Sequence, residues 1–192
     1  YNIAPTQQAL VVLGNGAENV AQFMRWGLIP SWAREMSVGR RMINARSETV
    51  ARTPTFRLPF QRRRCLILAN GFYEWRQEGK RRFPFYITLK GGVPFGFAGL
   101  WDAWEAPSGE IVMSCTIMTT RANALMEPIH NRMPVILPQE GEYPWLNPTI
   151  EEAEVLTALL NPFPAEAMEV YSVATFVNSV GNDSLRCVTP VK

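Results

Sequence analysis

The sequence has 192 residues, 47% hydrophobic and 19% charged, with a net charge of +2 at pH 7. That length suits a single domain over 1–192, and the apolar share excludes wholesale disorder. No stretch approaches the roughly 18 uninterrupted apolar residues of a membrane helix, so no membrane partner is expected. The opening residues, Tyr1-Asn2-Ile3-Ala4-Pro5, lack the charged and apolar regions of a signal peptide.

In chain order, the apolar runs 9–13 and 22–26 flank Gly14-Asn15-Gly16 and predict a hairpin. Thr53-Pro54 predicts a capped helix through Phe60. A buried strand is expected over 65–69. Runs at 83–89, 95–104 and 111–119, separated by Gly- and Pro-containing turns, predict an antiparallel meander. One or two helical turns are expected over 121–127. Thr149 and Glu152 form a capping box before a helix over 153–160, which Asn161-Pro162 ends. A last strand is expected over 170–177. The sum is an α+β fold: a mainly antiparallel curved sheet or barrel-like β core with a few flanking helices.

The small net charge conceals a strong polarity. Residues 21–90 hold fifteen Arg or Lys against four Glu, a local +11, whereas residues 91–192 come to −8. Sixteen of the 19 basic residues are Arg, whose planar fork grips phosphate and stacks on rings. Trp26, Trp32, Phe56, Phe60, Phe72, Tyr73 and Trp75 interleave with them. Arginines among aromatics suit a single-stranded nucleic-acid groove. They equally suit a solvated face, with Arg62-Arg63-Arg64 and Arg81-Arg82 outside and the aromatics in the core.

Cys65, Cys115 and Cys187 are odd in number and contain no CxxC pair. They argue against a disulfide scaffold, fit a reducing cytosol, and with the lone His130 argue against structural zinc. Phosphate-loop, nucleophile-elbow and HExxH motifs are absent, so no cofactor is expected. Polar groups gather in four segments: 2–6, 43–49, 70–75 and 128–134. Glu74, between aromatics, should be desolvated and its pKa raised toward proton-transfer use. His130 lies between prolines and carries the one side chain that titrates near neutrality. Taken singly, each has a structural alternative: a surface ion pair of Glu74 with Arg76 or Arg81, a turn-capping His130, a turn residue at Asn44, a fraying terminus at Asn2 and Pro5.

Taken together the segments resemble the SRAP family, the SOS response-associated peptidases. The matching pieces are YNIAPTQ (1–7), RWGLIPSW (25–32), MINARSET (42–49), NGFYEW (70–75), AGLWDAW (98–104), MTTRAN (118–123), IHNRMPVIL (129–137) and VNSVGND (177–183). The resemblance implies a cytoplasmic sensor of abasic sites in single-stranded DNA. Family members carry an N-terminal cysteine, freed by peptidase-type processing. Its amine and thiol condense with the ring-opened abasic sugar, giving a thiazolidine DNA–protein crosslink. By motif match Asn44 orients that cysteine, Glu74 assists the amine and sugar hydroxyl, and His130 is the acid/base of ring opening and crosslink reversal. Asn2, Pro5, Trp32, Arg46, Thr119 and Arg132 are implied to line the DNA groove.

The family opens with Cys-Gly-Arg well upstream of the YNIAP segment, whereas this sequence starts at Tyr1. Either the sequence is a fragment or the protein has lost its nucleophile; the expectation is an N-terminally incomplete domain, which as it stands binds DNA and forms no crosslink. Cys65, Cys115 and Cys187 cannot substitute, because a thiazolidine needs amine and thiol on one residue. Two rival functions fit the same residues: a noncovalent single-strand binding module, and a peptidase acting in trans with Glu74 and His130 handling water.

Overall fold

Ten strands and three α-helices occupy the described residues of this computed structural model, namely 1–14, 16 and 18–191. In chain order they are β1 (Gln8–Gly14), β2 (Asn19–Trp26), β3 (Asn44–Arg46), α1 (Pro54–Arg62), β4 (Arg64–Ala69), β5 (Phe72–Glu78), β6 (Arg81–Leu89), β7 (Phe95–Glu105), β8 (Ile111–Arg121), β9 (Arg132–Pro134), α2 (Gln139–Leu146), α3 (Ala153–Ala158) and β10 (Met168–Ser172). The strands β2-β1-β4-β7-β8 run antiparallel in that order. β8 then returns to β2 through a short parallel pairing, Arg25 opposite Ser114 and Trp26 opposite Cys115. Closure into a ring removes the open edges of these five strands. β3 lies parallel to β8, and β9 pairs antiparallel with its last residues. A second sheet, β10-β6-β5, is antiparallel throughout. The expected α+β architecture with a barrel-like core is therefore the observed one.

Alternation along the strands explains why β4 and β7 read as unbroken apolar runs. Cys65, Ile67 and Phe97 point into the barrel beside Val11, Met24, Cys115 and Ile117. Leu66, Ala98 and Leu100 face the other way, onto Phe60 of α1, Trp145 and Leu146 of α2, and Leu156 of α3. A strand covered on both faces carries no polar alternation.

Several local expectations are corrected. The meander breaks after the first of its strands: β7 and β8 form a hairpin, but β6 pairs with β5 and β10 in the second sheet. The last strand ends at Ser172, and Thr175–Asn178 is a 3-10 turn. No helix forms over 121–127. Arg121 closes β8, and Asn123 Oδ1 accepts from the Leu125 and Met126 amides to make a turn instead. The capping box is not built either: Thr149 donates to Asn147 Oδ1, and the residue ahead of α3 is Glu152. Thr53 precedes α1 as expected, but its hydroxyl returns to the Thr49 carbonyl, and the helix runs past Phe60 to Arg62. In the hairpin turn expected over 14–16, Asn15 lies outside the described residues. α2 went unforeseen because Gly141 and Pro144 lie within it. Burial of Trp145, whose indole donates to the Cys65 carbonyl, overrides that local preference.

The triple arginine is not the solvated face that the charge pattern allowed. Arg64 is 4% exposed. Its guanidinium donates to the carbonyls of Phe60, Gln61, Trp145, Asn147 and Ile150, tying α1, β4, α2 and the following turn together. Burial pushes its pKa down to about 10, partly offset by the nearby Glu151. Arg63 pairs with buried Asp102 and lies against the Trp101 ring. Only Arg62 of the three is exposed, and it meets Glu151 at 3.2 Å.

A lysine cannot spread its donors over five carbonyls, so Arg64→Lys leaves several buried acceptors unmet. We expect a loss of about 2–4 kcal/mol in urea unfolding with an unchanged denaturant slope.

Candidate functional site

One end of the barrel opens into a cleft of about 1200 Å³ between the ring and the second sheet. β3 brings two residues to it. Being two apart in one strand, Asn44 and Arg46 share a face, while Ala45 between them is buried. Thr119 of β8 lies opposite Arg46 in the parallel pairing. β9 adds Arg132, and the turn before it adds His130. The second sheet contributes Tyr73, Glu74 and Trp75 from β5.

The far wall is the segment before β1, including Asn2 and Pro5. Thr6 turns that segment over the barrel mouth with φ of +78°, unusual for a β-branched residue. Its N–H donates to the Trp26 carbonyl at 2.7 Å and its own carbonyl accepts from Arg25 Nη1 at 2.8 Å. Asn2 is buried, and its Nδ2 donates to the carbonyls of Val177, Ser179 and Asn182. The VNSVGND segment is thereby clamped to the chain start. Gly71 permits the close packing behind β5, since a Cβ there would meet the Tyr86 ring at 2.3 Å and the Ile87 carbonyl at 2.6 Å.

Glu74 has the environment expected of it. Burial raises the pKa of its carboxyl; the neighbouring His130 and the Trp75 amide, 3.3 Å from Oε2, act in the opposite direction. The surface pairing with Arg76 does not form, because Arg76 meets Glu78 at 2.7 Å. His130 is exposed, and its Nδ1 lies 3.1 Å from both the N–H and the carbonyl of Arg132. A bare Nδ1 accepts from that N–H, and a protonated one donates to that carbonyl, so the ring is anchored in either state. Arg132 donates to both oxygens of Glu48 at 3.0 Å and to the Thr119 carbonyl at 2.7 Å. This bonding holds the Glu48 carboxyl below its ordinary pKa.

The cysteines stand apart from this chemistry. All three are buried; desolvation raises the Cys65 thiol well above its ordinary value and pushes Cys115 up to about 12. Among the described residues no three His, Cys, Asp or Glu side chains gather as a metal site.

The profile of the SOS response associated peptidases (SRAP) matches residues 1–180. The chain belongs to the SRAP family. It is 46% identical to the abasic site processing protein YoqW of Bacillus subtilis, over 96% of this chain and 83% of that one. Against the abasic site processing protein HMCES of Gallus gallus the identity is 32%, over 100% and 66%. A crystal structure of a Bacteroides thetaiotaomicron protein superposes with a TM-score of 0.86 at 34% identity, over 97% of this chain and 82% of that one.

Of the residues singled out in the sequence, the SRAP cleft unites Asn2, Pro5, Asn44, Arg46, Glu74, Thr119, His130 and Arg132. It leaves out Trp32, which stands 65% exposed on the turn after β2. That turn is pinned from behind. Asp102 accepts from the Ser31 amide at 3.0 Å, Ser114 from the Ile29 amide at 2.8 Å, and the Trp104 indole donates to the Ala33 carbonyl at 2.6 Å. Among the described residues only two arginines, Arg46 and Arg132, line the cleft, so it is far less cationic than the charge pattern suggested. Three residues with positioning roles went unforeseen: Glu48, which holds Arg132; Asn178 of the cleft, whose Oδ1 accepts from the Trp75 indole at 2.8 Å; and Asp102, which pins the Trp32 turn outside it. Each lies inside a quoted motif, but a polar residue in a motif does not announce its partner.

A carboxyl with a raised pKa keeps its proton longer in the folded chain than in the unfolded one. Above its ordinary value of 4.5 Glu74 therefore costs stability increasingly as pH rises through the folded pKa. Glu74→Gln removes that cost. Thermal melts should show the variant about 2–4 °C more stable near neutral pH and indistinguishable from wild type near pH 4.

Proposed function

We propose that this protein captures abasic sites in single-stranded DNA as a covalent crosslink. The observation that carries the reading is the convergence of a desolvated carboxyl, Glu74, and a histidine anchored in either protonation state, His130, in one cleft with Asn44. Relatives named as abasic site processing proteins support it. An abasic sugar exists mainly as a closed ring, and its aldehyde appears when a base takes the hydroxyl proton and an acid protonates the ring oxygen. His130 is suited to exchange that proton with solvent, being exposed. Glu74, whose carboxyl burial raises above its ordinary pKa, is suited to take a proton from an attacking amine and return it to the leaving hydroxyl.

The nucleophile in this proposal is an N-terminal cysteine ahead of Tyr1 in the complete protein. That Tyr1 and Asn2 line the cleft supports this reading. Amine addition to the aldehyde loses water to give an imine, and the thiol adds to the imine carbon, closing a thiazolidine. Asn44 supplies an amide to orient the cysteine. Self-processing that exposes this cysteine uses the same Glu74 and His130 pair on the preceding peptide bond. Arg46 and Arg132 are the phosphate contacts, with Thr119 and Pro5 shaping the groove, and Trp32 offers an exposed ring against which a base stacks where the strand leaves the cleft.

The test is to incubate the complete protein with a single strand bearing one abasic site and resolve the mixture under denaturing conditions. A retarded protein–DNA species is expected, forming about 10²-fold more slowly with Glu74→Gln. Failure to form any denaturant-resistant species would overturn the reading.

A further inference from the structure

Arg132 is already engaged before any DNA arrives. Nη1 and Nη2 each meet one oxygen of Glu48 at 3.0 Å, fork against fork. Nη2 also donates to the Thr119 carbonyl at 2.7 Å, and Nε reaches Thr119 Oγ1 at 3.3 Å. A guanidinium has five N–H groups, so a single N–H, on Nη1, is left for anything else. A carboxylate presents to that fork the same pair of oxygens that a phosphate does. We infer that Glu48 stands in for a DNA backbone phosphate: it aims Arg132 into the cleft in the free protein and is displaced when a strand enters. The inference rests on the nucleic-acid reading above.

Three observations favour exchange over a permanent clamp. The Glu48 side chain is 51% exposed, so its carboxylate can swing into water without being left buried and unpaired. Thr119 is 7% exposed, and its contacts with Nε and Nη2 keep the guanidinium plane fixed after Glu48 leaves. The cleft carries only Arg46 as a second guanidinium, so masking Arg132 cancels about half of its fixed arginine charge. Glu48 thereby lowers affinity for any intact strand without touching the groups placed around the lesion. In a protein that holds its target by a covalent bond, final retention does not depend on the noncovalent grip, and a weak grip on undamaged DNA shortens time spent at wrong sites.

The measurement is the affinity of the complete protein for an intact single strand across a salt series from roughly 50 to 300 mM. Glu48→Gln, which keeps the shape and removes the charge, should bind about three- to fivefold tighter at the low-salt end. Its plot of log affinity against log salt should keep the wild-type slope, because Arg132 meets one phosphate in both proteins once Glu48 has left. Adding Arg132→Gln to Glu48→Gln should abolish the gain and make the slope shallower by about 0.7, the increment for one phosphate on a single strand. Glu48→Asp, too short to reach both Nη atoms, should shift affinity the same way and serves if Glu48→Gln folds poorly in a thermal melt. Unchanged or weaker binding, or a slope steeper by one phosphate (Glu48 then staying on Arg132 in the wild-type complex), overturns the inference while leaving the nucleic-acid reading intact. Absence of any DNA binding by the wild type overturns that reading and the inference with it.

Discussion

Strand β8 is the constraint on which the site depends, because eleven residues of one strand serve four neighbours. Along one side it pairs with β7. Its middle closes the barrel against β2 at Ser114 and Cys115. Residues 117–119 then hold β3, and 119–121 hold β9. Closing the ring and presenting the site are thus one set of backbone hydrogen bonds. A register slip of a single residue would reverse every side chain of β3 and bury Asn44 and Arg46 where Ala45 now lies. The same slip would draw the Ile43 carbonyl, just before β3, away from the Trp26 indole that donates to it.

From that strand the chemistry divides into a dry half and a wet half. Glu74 reaches the cleft from the second sheet, and burial raises the pKa of its carboxyl. His130 reaches it from a solvent-facing turn held by Asn123 and by the backbone of Arg132. The shielded carboxyl and the exposed imidazole thus face one cleft from two different sheets. Neither half makes this arrangement by itself: the barrel supplies the imidazole and the second sheet supplies the carboxyl.

The arginines show how charge is distributed between folding and function. Arg64 is spent wholly on backbone carbonyls, Arg63 on Asp102, Arg76 on Glu78, and Arg186 lies over the Phe176 ring at 4.2 Å. Arg25 holds the strained turn at Thr6. Arg46 and Arg132 are the ones that face the cleft, and Arg132 is matched by Glu48. A basic stretch of sequence is therefore a poor measure of a basic surface, because a guanidinium satisfies backbone carbonyls as readily as phosphates.

The sequence by itself determined what local chemistry and motif order can carry. Apolar runs fixed most strand positions, Pro54 the start of α1, and the ordered motifs the family and the residues that line the cleft. Glu74 is desolvated as expected, but Tyr73 and Trp75 share the opposite face of β5, so its burial comes from the tertiary arrangement and not from those neighbours. Tertiary structure decided everything that depends on residues distant in sequence. It moved β6 out of the expected meander, built α2 across Gly141 and Pro144 because Trp145 had a core to enter, and buried Arg64 amid carbonyls of three elements. It also joined Glu48 to Arg132, 84 positions away, and set Trp32 on the outer surface rather than in the cleft. Periodicity and turn chemistry act over a few residues, whereas burial and ion pairing are settled only when strands have chosen their neighbours.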